Sequence, residues 1–252
     1  MTLGTARDEV MTYNSSIKLD VEVTQMAEEL GPIHYMMYEK IKYQDQLTAR
    51  LLAADPELRG HLGHKLPPVP IDPLEQLIDQ ENIHGWLASR IDVVEGRLAF
   101  AQANVTENLQ IMRAAGRAAA PAETAADEAE LFEHLNLYLL DGMPCDRALA
   151  AVKIEEGDGL MLVQQVDTHR IYAEQLLTID PADSLEKTCE GGHDHDDHDA
   201  YHLQEIAMPA ARLDGDSTLF YQCRLAFLEG YLENSPYRAT AVNATDFAIR
   251  RR

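Results

Sequence analysis

Residues 72–116 read DPLEQLIDQENIHGWLASRIDVVEGRLAFAQANVTENLQIMRAAG. Within them Leu77, His84, Ile91, Leu98, Val105 and Met112 recur every seven residues, with Leu87, Val94 and Ala101 between them. That repeat lays one apolar stripe along a helix. Asp72 and Pro73 supply an N-cap and a first-turn residue, and Gly116 marks the end. The spacing predicts a single long bundle helix across the stretch.

Working outward, Val23, Met26, Ala27 and Leu30 recur at helical spacing until Gly31 and Pro32 interrupt them; Pro32 starts a new helix, or kinks the first, and the helix runs to about Ala54 with Leu30, His34, Met37 and Ile41 close to one face. Residues 55–72, rich in Pro and Gly, read as an extended surface loop, and Arg117 to Ala126 as an Ala-rich linker. Asp127 to Leu140 carries Leu131, His134, Leu135 and Tyr138 on one helical side. Glu155, Glu156, Gly157, Asp158 and Gly159 between two apolar runs give a hairpin turn, with two helices as the alternative. His169 to Leu177 reads as helix and Ile179 to Asp199 as a polar connection. A last helix from Ser217 to about Glu233 is apolar on most sides, which calls for burial. The expected fold is mainly α, a helical bundle with a small β-hairpin around residues 148–166. We read 1–252 as a single compact helical domain, with a Pro-rich surface loop at 55–72 and a His/Asp-rich loop at 189–202.

The chain has 43 acidic against 21 basic residues, a formal charge of −22. Such a charge repels phosphate backbones and anionic bilayers, so neither nucleic acid nor membrane is an expected partner. Arg250, Arg251 and Arg252 read as a solvated terminal tail. Cys145, Cys189 and Cys223 are too few and too scattered for a disulfide framework. With no export signal or spanning segment in the sequence, a cytoplasmic location is expected.

Chemistry concentrates in the histidines. His193, His195, His198 and His202 lie among five carboxylates within residues 193–205, and His198, His202 and Glu205 share one face of any helix that starts near Asp196. Nitrogen and oxygen donors of this kind suit Fe, Zn, Ni or Co. A second candidate lies in the predicted core, where Glu81 and His84 form a Glu-x-x-His pair. His34 sits on an apolar stripe, and His134 follows Glu130 by one turn. One Glu-x-x-His, not two, falls short of a ferritin-like di-iron pattern. Cys145, on the turn after Pro144, is a candidate ligand or nucleophile, although Asp146 disfavours its thiolate; His169 is the candidate base or ligand from the following element. His61 and His64 read as surface residues and Cys223 as packing.

Nucleotide-binding, serine-hydrolase, zincin and Cys-x-x-Cys signatures are missing. The sequence thus points to an acidic metal-binding protein. One reading is a transition-metal-dependent enzyme or enzyme subunit with core His and Glu ligands. The others are a metal chaperone, store or sensor using the His-rich loop, and an acidic interaction subunit without catalysis. A homo-oligomer or a protein partner is compatible with each; the small-molecule substrate of an enzyme stays unspecified.

Overall fold

A computed structural model describes residues 30–123, 125–154, 159–178 and 218–252 of the chain. Among them, helix α1 (Pro32–Leu51) packs on the central helix of the molecule, residues 83–104. Proline at the first helical position starts α1 without loss of a needed N–H.

The heptad stretch is three helices rather than one. They are α3 (Leu74–Leu77), α4 (Ile83–Asn104) and α5 (Asn108–Ala119), with α2 (Pro56–Lys65) preceding them. Side chains that compete for the backbone explain both breaks. Asn82 Oδ1 accepts the Gly85 N–H at 3.0 Å and starts α4. At the other end Asn108 Nδ2 donates to the Gln102 carbonyl at 2.7 Å, and Asn108 Oδ1 accepts the Leu109 N–H at 2.6 Å. The seven-residue spacing survives the second break because Leu98 and Met112 bury against the same core.

The segment 55–72 also departs from the expected loop, since most of its first half is α2. Asp55 Oδ1 accepts the Leu58 N–H at 2.9 Å and Pro56 follows at the first position, which is a helix start signal. Only the part after Lys65 is extended. It is pinned at Val69, whose N–H donates to Asp45, and at Leu66, whose carbonyl accepts from Arg97. Tyr38 Oη adds contacts of 2.6 Å and 2.9 Å to the carbonyls of Pro70 and Asp72.

Helix α6 (Glu128–Asn136) is capped by Asp127, whose Oδ1 accepts the Ala129 and Glu130 N–H groups. After it the chain turns at Gly142, at φ +70°, where an added Cβ would also lie 2.5 Å from Asp146 Oδ2. The expected hairpin forms from β1 (Leu149–Lys153) and β2 (Gly159–Gln164), antiparallel with Val152 opposite Met161. Helices α7 (Arg170–Thr178) and α8 (Thr218–Tyr231) follow. Then come β3 (Tyr237–Ala241) and β4 (Phe247–Arg251), and the sheet order is β1-β2-β4-β3.

The C-terminal arginines are therefore not a tail. Arg250 and Arg251 belong to a central strand, and Arg252 donates to the carbonyls of Leu232 and Glu233 at the end of α8. A cation there satisfies orphan carbonyls and opposes the helix dipole. The described residues are mainly α, with one four-stranded antiparallel sheet, and none of their helices is long and apolar enough to cross a membrane.

Two apolar clusters make the core. One gathers α5, α8, the sheet and the second half of α4; the other joins the start of α1, α3 and the first half of α4. Helices α5 and α8 interlock through glycine. A Cβ on Gly116 would lie 2.0 Å from the Phe227 carbonyl oxygen, and one on Gly230 would lie 1.9 Å from that of Arg113.

Candidate functional site

Buried charge collects where α4, α8 and the approach to α7 meet. Asp167 Oδ1 accepts the N–H groups of His169 and Arg170, which fixes the start of α7 and points the His169 ring inward. His169 Nδ1 lies 2.9 Å from Glu95 Oε2 and its Nε2 lies 3.1 Å from Asp141 Oδ1. Arg224 Nη1 donates to Asp141 Oδ1 at 2.8 Å and to Gln164 Oε1 at 3.2 Å, while Gln44 Nε2 donates to Glu95 Oε1 at 2.7 Å. Phe220 stacks on the imidazole with centroids 3.5 Å apart, and the Arg224 guanidinium lies 4.7 Å from the same phenyl centroid.

An imidazole with a carboxylate at each nitrogen is best satisfied as the doubly protonated cation, because both ring nitrogens then donate. Burial alone would lower the proton affinity of His169, but Glu95 and Asp141 outweigh it and raise the pKa. In that state the 3.4 Å approach of Arg224 Nη2 to Nε2 is a contact between two donors rather than a hydrogen bond. Burial likewise opposes charge on Asp141, yet Arg224 and His169 prevail and hold its carboxyl well below the usual carboxylate range. Its second oxygen, Oδ2, is buried without a hydrogen-bond partner among the described residues.

Lys40, 8% exposed, donates Nζ to Asn136 Oδ1 at 3.0 Å. Burial is the main influence on it; Arg224 adds to the lowering, Asp141 opposes it, and the pKa falls from 10.5 to about 8. The unfolded chain thus binds more protons than the folded one between those two values, and stability rises with pH across that window. Below it the penalty for a buried ammonium is fully present. Lys40→Met is expected to raise the unfolding free energy by about 1–3 kcal/mol at neutral pH, and by much less near the upper end of the window. Denaturant titrations at the two pH values check this. An equal gain at both would show that titration of Lys40 is not the cause.

The residues singled out from the sequence fall in different places. His34 is buried, accepts the Gly31 N–H at Nδ1 (2.9 Å), and has its proton affinity lowered by burial and by nearby His84. His84, however, is exposed, because α4 turns Ile83, Leu87 and Ile91 into the core instead. Glu81 precedes the Asn82 cap and lies in a turn where its N–H donates to Asp79, so helical spacing does not relate it to His84.

Glu130 uses Oε2 to accept the Ala126 N–H at 2.5 Å. His134 is half-buried, with Nδ1 lacking a partner among the described residues. Cys145 is exposed, its Sγ 3.9 Å from Asp146 Oδ1. Among the described residues no group of three or more His, Cys, Asp or Glu is arranged to hold a metal ion. His193, His195, His198, His202 and Glu205 lie outside the described residues.

Of the cluster itself, sequence reasoning found only His169. Glu95, Asp141 and Arg224 were missed, although a lone arginine in a helix apolar on most sides, and a lone glutamate after Val93 and Val94, are the kind of exception that marks buried charge. Comparison with protein-family models, with curated proteins and with solved structures finds no match to this chain.

Proposed function

We propose that this chain handles a transition metal ion, with residues 193–205 as the collector and the helical domain as its carrier. The observation that carries the reading is donor density: four imidazoles and five carboxylates within thirteen residues. Such donors bind Zn, Ni, Co or Fe through bonds that exchange readily, which transfer between sites requires. The other candidate ligands have local duties: His34 caps α1, and Glu130 holds the approach to α6. His169 has both ring nitrogens on carboxylates, so proton transfer by it would first need one of those bonds to open. Handling needs no such step.

Changing His193, His195, His198 and His202 together to Ala is the test, read by elemental analysis and by calorimetric titration of untagged protein with Zn²⁺ or Ni²⁺. Uptake should fall to less than about a tenth, while the melting temperature of the metal-free protein stays within about 2 °C. Binding in the unsubstituted chain should also weaken as pH falls through about 6.5, where imidazole takes up a proton. Undiminished uptake in the fourfold variant would refute the reading.

A further inference from the structure

The sheet is apolar on both sides. Inward, Ala151, Leu160, Leu162, Ala239, Phe247 and Ile249 join the larger apolar cluster. The alternate positions face the other way. There the register aligns Val152, Met161, Ala248 and Thr240 in one row across β1, β2, β4 and β3, with Ala150 opposite Val163 beside it. None of Ala150, Val152, Met161, Val163 and Ala248 belongs to either apolar cluster, and Val152, Met161 and Val163 are half-buried. An antiparallel sheet with one face in water alternates apolar and polar residues along each strand. Strands β1 and β2, apolar at nearly every position, instead have the composition of strands covered on both faces.

The adjoining row decides the chemistry of the cover. Gly159, Arg250 and Arg238 align across β2, β4 and β3. Gly159 leaves room for the Arg250 stem, since a Cβ there would lie 3.3 Å from Arg250 Cγ. Arg238 and Arg250 are exposed and directly opposed, an arrangement that destabilises a sheet when the charges are alike. Neither guanidinium has a hydrogen bond, ion pair or ring contact among the described residues, in a chain with 43 acidic side chains. Two adjacent guanidinium forks beside an apolar plane suit carboxylates carried on an apolar body. We propose that this face of the sheet docks an acidic amphipathic helix of a partner protein, its carboxylates on Arg238 and Arg250 and its apolar side on Val152, Met161 and Ala248. Laying a helix on a sheet is a common way to cover such a face. A second copy of this chain fits less well. The face is roughly 15 Å across, short of the ~800 Å² per partner of a stable dimer, and a copy would bring its own charge of −22. The surface stands or falls without the metal collector.

The probe is a synthetic amphipathic helix of about 16 residues, with leucines along one face and two glutamates near one end. Its control carries lysines in place of the glutamates. The readout, in the full chain, is the methyl signal of Met161 and the side-chain ¹⁵N signals of Arg238 and Arg250. The glutamate peptide should shift all three along a saturable curve with a Kd on the order of 100 µM, and the lysine peptide should bind at least about tenfold more weakly. Reversing both charges, Arg238→Glu with Arg250→Glu, should invert that preference. Arg250→Glu alone should weaken the glutamate peptide at least about tenfold and, by ending the like-charge opposition, raise the melting temperature by about 1–3 °C. If a reversed variant does not fold, Arg238→Gln with Arg250→Gln replaces it and should bind the two peptides alike. No saturable response, equal binding of both peptides by the parent chain, or a preference unchanged by reversal would overturn the proposal. A lower melting temperature in Arg250→Glu would overturn it too, by showing that Glu155, Glu156 or Asp158, close to Gly159 in the chain, already serves the arginines. So would a dimer in sedimentation that the double reversal dissociates, which would give the face to a second copy.

Discussion

Replacing Gly230 by alanine is expected to lower the unfolding free energy by about 3 kcal/mol, although it adds one methyl group to a helix. The new carbon would lie 1.9 Å from the Arg113 carbonyl oxygen, and that atom belongs to the backbone of α5, so no side-chain rotation relieves the clash. Gly116→Ala meets the Phe227 carbonyl oxygen in the same way from the opposite helix. The helices must move apart, which opens gaps among Met112, Ala115, Phe227 and Tyr231. Gly60→Ala and Gly63→Ala in α2 are the controls, because a Cβ at either has nothing within 4 Å. There the better helix propensity of alanine should stabilise by about 0.5–1 kcal/mol. Chemical denaturation of the four variants gives the comparison, and a loss below about 1 kcal/mol for Gly230→Ala would mean that α5 and α8 are not held at this separation.

Arg224→Met carries the second large effect, a loss of about 3–5 kcal/mol at neutral pH. It keeps the length of the apolar stem but leaves Asp141 charged, buried and without its nearest cation. In the parent chain the Asp141 pKa is depressed, so its stabilising contribution is present above the ordinary carboxylate value and is lost as pH falls below it. In the variant, burial is opposed only by His169 and Lys40. The carboxyl pKa then rises, and part of the deficit is recovered as pH drops from 7 towards 5. His169 weighs the other way in the parent: its raised pKa gives a contribution that is full below about 6.5 and fades at higher pH. A double-mutant cycle with Asp141→Asn isolates the pair, and a coupling below about 0.5 kcal/mol would show that Arg224 acts mainly through packing on Phe220.

How far the sequence could be read depended on where local chemistry competes with periodicity. The stripe from Leu77 to Met112 does identify residues of the core, since Ile91, Leu98 and Met112 are buried. It says nothing of whether the backbone runs straight beneath them. Asn82 and Asn108, which break the run, were present in the sequence as amides able to bond their own backbone. At Asp55–Pro56 the same start signal credited at Asp72–Pro73 was hidden by Gly60 and Gly63. Strands β3 and β4 escaped because Arg238, Thr240 and Arg250 give them no long apolar run; their identity comes from pairing with β2. The charged cluster is assembled from α4, α8, and the segments after α6 and before α7, so no spacing along the chain could announce it. His84 shows the converse, a residue on the heptad that the helix start rotates outward.

Strand β4 lies between β2 and β3, which sets an order in time. The hairpin β1–β2 joins neighbours in sequence, whereas Leu162 must wait for Phe247 and Gly159 for Arg250. Closing so long a loop is entropically slow, and β2 presents an unpaired edge until it happens. During that interval Leu160 and Leu162, which end up buried, lack the partner strand that completes their sheet, and chains in this condition associate through such edges. A formal charge of −22 makes two half-folded copies repel before those edges can meet. Salt that screens this charge is therefore expected to lower the yield of native chain on refolding at high concentration.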